Sequence, residues 1–123
     1  MLNNKQKQMI KVSELTGDAL NWAVAKCEGV ENTWGQSRLK PYEWHKGYSY
    51  STEWAQGGRI IERERLSIEC TRADEVLGIR WMAESTSRDY CTQFAEKPLI
   101  AAMRCYVASK LGDDIEIPKG LTC

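Results

Sequence analysis

The chain has 123 residues, enough for one domain with a real core. Its 17 basic and 17 acidic side chains cancel, so no global field draws it to an anionic membrane or to DNA without sequence preference. Five Cys, an odd number with no Cys-x-x-Cys spacing, and one His (His45) provide neither a zinc set nor a disulfide framework. Without an apolar signal or spanning segment, the expectation is reduced thiols in a cytoplasm, with no metal and no cofactor.

Residues 1–8 are polar and aperiodic and are expected to form a flexible N-terminal extension to a single compact domain over 9–123. Ile10-Lys-Val12 alternates briefly, as an edge strand does. Thr16 offers an N-cap and Asp18 favours the helix dipole. Leu20, Ala23, Val24 and Cys27 then fall at i, i+3, i+4 and i+7, and Gly29 supplies a stop, which predicts a helix over 17–28. Over 29–59 neither period holds. The six Gly and Pro residues there, together with Trp34, Tyr42, Trp44, Tyr48, Tyr50 and Trp54, predict a long ordered loop pinned by its own rings. Leu66, Ile68 and Cys70, and then Ile79, Trp81 and Ala83, alternate with polar residues as two strands of an antiparallel pair. Residues 85–96 read as irregular. Pro98 opens a helix whose apolar face holds Leu99, Ala102, Met103 and Tyr106, and Gly112 ends it. Ile115-Glu-Ile117 adds a short strand. The expected fold is α+β, with two helices packed on one face of a small antiparallel sheet and a long ordered aromatic loop beside them.

Function points to the loop. Tyr48, Tyr50 and Trp54 offer ring faces, and Ser49, Ser51 and Thr52 offer hydroxyls. Gly57 and Gly58 permit close backbone approach, and their N–H groups suit an anion. Arg59, Arg63 and Arg65 suit phosphate or carboxylate, with Glu62 placed to orient an Arg. Arg104, inside the apolar run of the last helix, would join them if it turned toward the loop. The same rings would also serve to fold the loop onto the core, and Trp34 and Trp44 fit that anchoring role. Glu64 and Arg65 read as a solvated charge pair. His45 has no Cys or Ser singled out beside it, and no phosphate loop, nucleophile elbow or His-Glu-x-x-His is present. No catalytic constellation is legible, so the chain is expected not to be an enzyme. The expected ligand set is Tyr48, Ser49, Ser51, Thr52, Trp54, Gly57, Gly58, Glu62, Arg63 and Arg104, around a small anionic ligand such as a nucleotide. A protein partner fits the same Tyr, Trp and Arg composition. So does a single strand of nucleic acid stacked on the rings, although the neutral charge weakens that reading. A symmetric homodimer is the default assembly for such a chain.

Three ordered blocks resemble one family. Val12-Ser-Glu-Leu-Thr-Gly17 with Leu20-Asn-Trp-Ala-Val-Ala-Lys-Cys27, then Tyr48-Ser-Tyr-Ser-Thr-Glu-Trp-Ala-Gln-Gly-Gly-Arg-Ile-Ile-Glu-Arg63, then Pro98 to Gly112, are similar to the NinX family of lambda-like tailed phages and prophages. The resemblance spans about residues 9–118 and departs at Tyr50 and Arg59, where the family usually carries Pro. It implies a phage-encoded accessory protein working in an infected bacterial cytoplasm, without implying an activity. Small phage proteins of this size often counteract host defence by blocking a host protein or holding a signalling nucleotide, and the loop chemistry suits that class.

Overall fold

The computed structural model describes residues 7–30, 48–72, 79–85 and 91–118. Trp34, Tyr42, Trp44 and His45 lie outside them, as do residues 1–6. Strand β1 (Lys7–Lys11) leads through a 3₁₀ turn (Val12–Glu14) into helix α1 (Gly17–Glu28). Helix α2 (Trp54–Glu64), strands β2 (Ser67–Arg72), β3 (Ile79–Ser85) and β4 (Cys91–Ala95), helix α3 (Pro98–Leu111) and strand β5 (Asp114–Pro118) follow. The α+β class holds, and the strands form two antiparallel sheets, β1–β5 and β2–β3–β4.

Helix α3 is the centre. Leu99, Ala101, Ala102, Met103, Cys105, Tyr106, Val107 and Ala108 are all buried, which is apolar burial around most of the helix circumference rather than one stripe. Small Ala side chains let neighbours approach, and α3 touches both sheets and both other helices. On β3 and β4 the inward pairs are Trp81↔Ala95, Ala83↔Gln93 and Ser85↔Cys91, facing α3. Glu69, Met82 and Phe94 alternate onto the opposite face, where Glu69 and Phe94 are exposed and Met82 is half-buried. The β1–β5 pair sets Ile10 opposite Ile115, and the Val12 N–H donates to the Asp113 carbonyl at 2.8 Å. This pairing ties the two ends of the domain together.

Helix α1 runs over the expected residues and ends at Gly29 in the left-handed region (φ 76°), where its N–H reaches the Ala25 and Lys26 carbonyls. Thr16 occupies the N-cap position but makes no side-chain cap bond. Three expectations need correction. Lys7 and Gln8, expected in the N-terminal extension, belong to strand β1. The segment 85–96 is not irregular throughout, because Cys91–Ala95 forms the edge strand β4. The aromatic loop is not loop to residue 59, because Trp54–Glu64 is helical. Gln56, Arg59, Ile60 and Arg63 lie on one face of that helix, and the Gly57-Gly58 pair hides the period from a sequence reading.

Candidate functional site

A cavity of about 510 Å³ opens between α2 and the Tyr48–Tyr50 segment, lined by Glu28, Tyr48, Tyr50, Ala55, Gln56, Arg59, Ile60 and Arg63. Its size is within the range of small-molecule sites, roughly 300–1,000 Å³. One wall is a pair of rings: Tyr48 and Tyr50 stack with centroids 5.6 Å apart and planes 5° from parallel. The facing wall is the Gln56, Arg59, Ile60 and Arg63 face of α2.

The ring segment is held by buried polar chemistry. Ser51 is 3 % exposed, and both its N–H (2.9 Å) and its hydroxyl (2.8 Å) donate to Asn21 Oδ1. Asn21 is itself buried in α1, so one acceptor fixes the turn below the rings. The Ser49 N–H donates to Gln56 Oε1 at 2.8 Å, leaving the Gln56 amide NH₂ as the donor end of that side chain. Gly57 lets α2 lie against this turn. A Cβ there would strike the Tyr50 carbonyl oxygen and stand 2.7 Å from Leu99 Cδ1.

The floor is a charge network that ties the three helices. Arg63 Nη1 and Nη2 donate to the two Glu28 oxygens at 3.0 and 2.6 Å. Its Nε donates to Glu64 at 2.9 Å and its Nη2 also reaches the Tyr106 hydroxyl at 3.2 Å. Tyr106 donates to Glu28 Oε2 at 2.5 Å, and Lys110 meets Glu64 at 3.2 Å. Burial opposes the Glu28 charge, but the hydrogen bonds from Arg63 and Tyr106 outweigh it and hold the carboxyl below its ordinary 4.5. Burial, joined by the Glu28 charge, pushes the Tyr50 phenol up to about 12. Both groups are therefore fixed in one protonation state near neutrality.

The expected ligand set is only partly gathered here. Tyr48 and Arg63 line the cavity, but Arg63 is committed to Glu28, Glu64 and Tyr106. Ser51 is no adaptable ligand hydroxyl, since Asn21 takes it. Ser49 contributes its backbone N–H to Gln56. The Gly57 N–H does not face an anion, because it donates to the Glu53 carbonyl at 2.9 Å within the helix, and Gly58 packs on Trp54. Thr52, Glu62 and Trp54 are exposed outside the lining, Trp54 at 53 %. Arg104 stands elsewhere, with Nε on the Leu15 carbonyl (2.8 Å) and Nη1 on the Phe94 carbonyl (2.7 Å). Tyr50 and Arg59, whose chemistry the sequence singles out although they stand outside the expected ligand set, line the cavity, and the structure adds Gln56 and Glu28. Arg59 is exposed and makes no hydrogen bond or ion pair among the described residues. Its chemistry is readable in the sequence, but its place on the same face as Arg63, four residues on, follows only once α2 is known to be a helix.

Cys27, Cys70, Cys91 and Cys105 are free thiols, and burial pushes the Cys105 thiol up to about 12. Among the described residues no helix is long and apolar enough to cross a membrane.

The chain is thus a small α+β protein with a ring-and-guanidinium cavity beside its second helix. The sequence profile of the family described as Bacteriophage P22, NinX matches residues 11–110, and the chain belongs to that family of phage proteins. No curated protein matches the chain.

Proposed function

We propose that this phage accessory protein is a non-catalytic binder of a small anionic ligand, a nucleotide, held in the cavity between α2 and Tyr48–Tyr50. The observation that carries the reading is Arg59: a guanidinium with no hydrogen-bond or ion-pair partner among the described residues, on a cavity whose opposite wall is a ring pair. A nucleobase would lie on the ring faces, Gln56 would donate to the sugar or base, and Arg59 would take a phosphate. The Arg63–Glu28 pair shapes the floor and is not a ligand charge. Tyr50 and Glu28 support a role without catalysis, since neither has a protonation equilibrium near pH 7 to serve as acid or base. Holding a signalling nucleotide in the bacterial cytoplasm would counteract host defence.

Calorimetry against a panel of nucleotides, including cyclic and ADP-ribose types, tests this. The expected result is saturable binding at one ligand per chain, lost in Arg59→Ala. No binding to any member of the panel overturns it. A second reading, inhibition of a host protein, is favoured by Trp54, because a ring half open to solvent beside Thr52 and Glu53 is a typical interface anchor. Recovery of one stoichiometric host protein that is lost with Trp54→Ala selects that reading. Binding to single-stranded nucleic acid that fades steeply with salt selects the recombination-accessory reading.

A further inference from the structure

A second cavity, of about 620 Å³, opens at the free edge of β4, where the 3₁₀ turn, the start of α1, β3 and α3 meet. It is lined in part by Ser13, Thr16, Arg80, Gln93, Glu96 and Arg104. The first cavity includes Glu28 at the end of α1, and this one includes Thr16 at its start. The two are separated by the length of that helix, roughly 18 Å at 1.5 Å per residue.

Several groups in this cavity have unmet hydrogen-bonding capacity. Gln93 points inward from β4 and is 9 % exposed, and its amide has no hydrogen-bond partner among the described residues. Arg80, on the face of the sheet opposite Gln93, lies over the Phe94 ring at the β4 edge, with Cζ 4.8 Å from the centroid, and its Nε is buried with no partner among the described residues. An unmet buried N–H is costly, and a ligand oxygen would satisfy it. Thr16 leaves the first turn of α1 without a side-chain cap, so the positive end of that helix and the Thr16 hydroxyl both border the cavity. Arg104 is fixed between the Leu15 and Phe94 carbonyls, which holds a second positive charge rigidly in place.

We propose that this cavity is a second ligand site, taking the phosphate group of a small phosphomonoester. Two guanidinium groups, an uncapped helix start and hydroxyls match a tetrahedral dianion. The Gln93 amide and the Glu96 carboxylate supply an acceptor edge for hydroxyl groups on the rest of the molecule. The site is independent of the nucleotide cavity and would stand if that reading failed.

Heteronuclear NMR of the full chain titrated with inorganic phosphate, then with ribose 5-phosphate, tests it. The amides of Gly17–Leu20 and Gln93–Ala95 are expected to shift in a saturable way, with the sugar phosphate binding more tightly than phosphate alone. Arg80→Gln should weaken binding by about tenfold or more. Gln93→Leu provides the control for folding, because its amide makes no hydrogen bond among the described residues and removing it should not lower the melting temperature, yet it should weaken the sugar phosphate several-fold. Arg59→Ala should leave these shifts unchanged. An absence of shifts at millimolar phosphate, shifts confined to Gln56–Arg63, or affinity indifferent to both Arg80→Gln and Gln93→Leu would each overturn the proposal.

Discussion

The two adjacent glycines of α2 should respond to alanine with opposite signs. A methyl group on Gly57 would press on the Tyr50 carbonyl oxygen and on Leu99 Cδ1, at 2.7 Å, and Cγ, at 3.3 Å. The first of these is backbone, held in place by the Ser51–Asn21 bonds, so relief requires α2 to move. Overpacking of this kind costs about 2–3 kcal/mol. The better helix propensity of Ala returns about 1 kcal/mol, leaving Gly57→Ala about 1–2 kcal/mol less stable. A methyl group on Gly58 meets only Trp54 Cε3 at 3.8 Å, an ordinary contact. Gly58→Ala should therefore gain about 0.5–1 kcal/mol from propensity alone. Urea unfolding followed by circular dichroism reads both, with midpoints displaced in opposite directions and slopes unchanged. Gly57→Ala should also weaken ligand binding, because α2 and the ring segment form the two walls of the cavity. A Gly57→Ala protein as stable as Gly58→Ala would refute the packing argument.

The other expectations concern the same framework. Asn21→Ala should cost about 2–4 kcal/mol, since it leaves the buried Ser51 N–H and hydroxyl unpaired, whereas Ser51→Ala should cost about 1 kcal/mol. Thermal melts compare the two. Glu28 has a folded pKa below 4.5, so its contribution is present above pH 4.5 and is lost as pH falls through the folded value. Wild type should lose stability on acidification below about pH 4.5 more steeply than Glu28→Gln in parallel urea titrations. Arg65 sits at φ 54° as the C-cap of α2, a backbone state that an L side chain adopts at a cost. Arg65→Gly should raise stability by about 0.5 kcal/mol after the entropy of glycine is subtracted, read as a higher urea midpoint.

What could be read from the sequence follows from how cleanly each element keeps its period. Leu20, Ala23, Val24 and Cys27 mark α1 because one face is apolar and Gly29 stops it. Helix α3 was legible from Pro98, its apolar run and Gly112, and Ile115-Glu-Ile117 alternates as a strand should. Helix α2 was hidden because its packing face contains Gly57, whose value is the absence of a side chain, and because its cavity face is polar. Strand β4 was hidden because its inward residues are Cys91, Gln93 and Ala95, so a polar residue stands where alternation expects an apolar one. That Gln93 now faces a cavity accounts for the exception. The cavity between α2 and Tyr48–Tyr50 was half legible: the right segment was singled out, but not which of its groups are committed. Ser51 and Arg63 have the right chemistry for a ligand, yet Asn21 and Glu28, distant in sequence, have claimed them. Arg104 resembled a loop partner, but α3 carries it to the other end of the domain.

The central claim is that Arg59, Gln56 and the Tyr48–Tyr50 pair receive a nucleotide. NMR of the labelled chain during titration with the nucleotide panel tests it most directly. The account predicts saturable shifts at the amides of Gln56, Ile60 and Arg63 and at the Tyr50 ring, abolished by Arg59→Ala without a change in melting temperature. Saturable shifts that survive Arg59→Ala, or that fall on Trp54 and Thr52 while Gln56 and Tyr50 stay still, would contradict it.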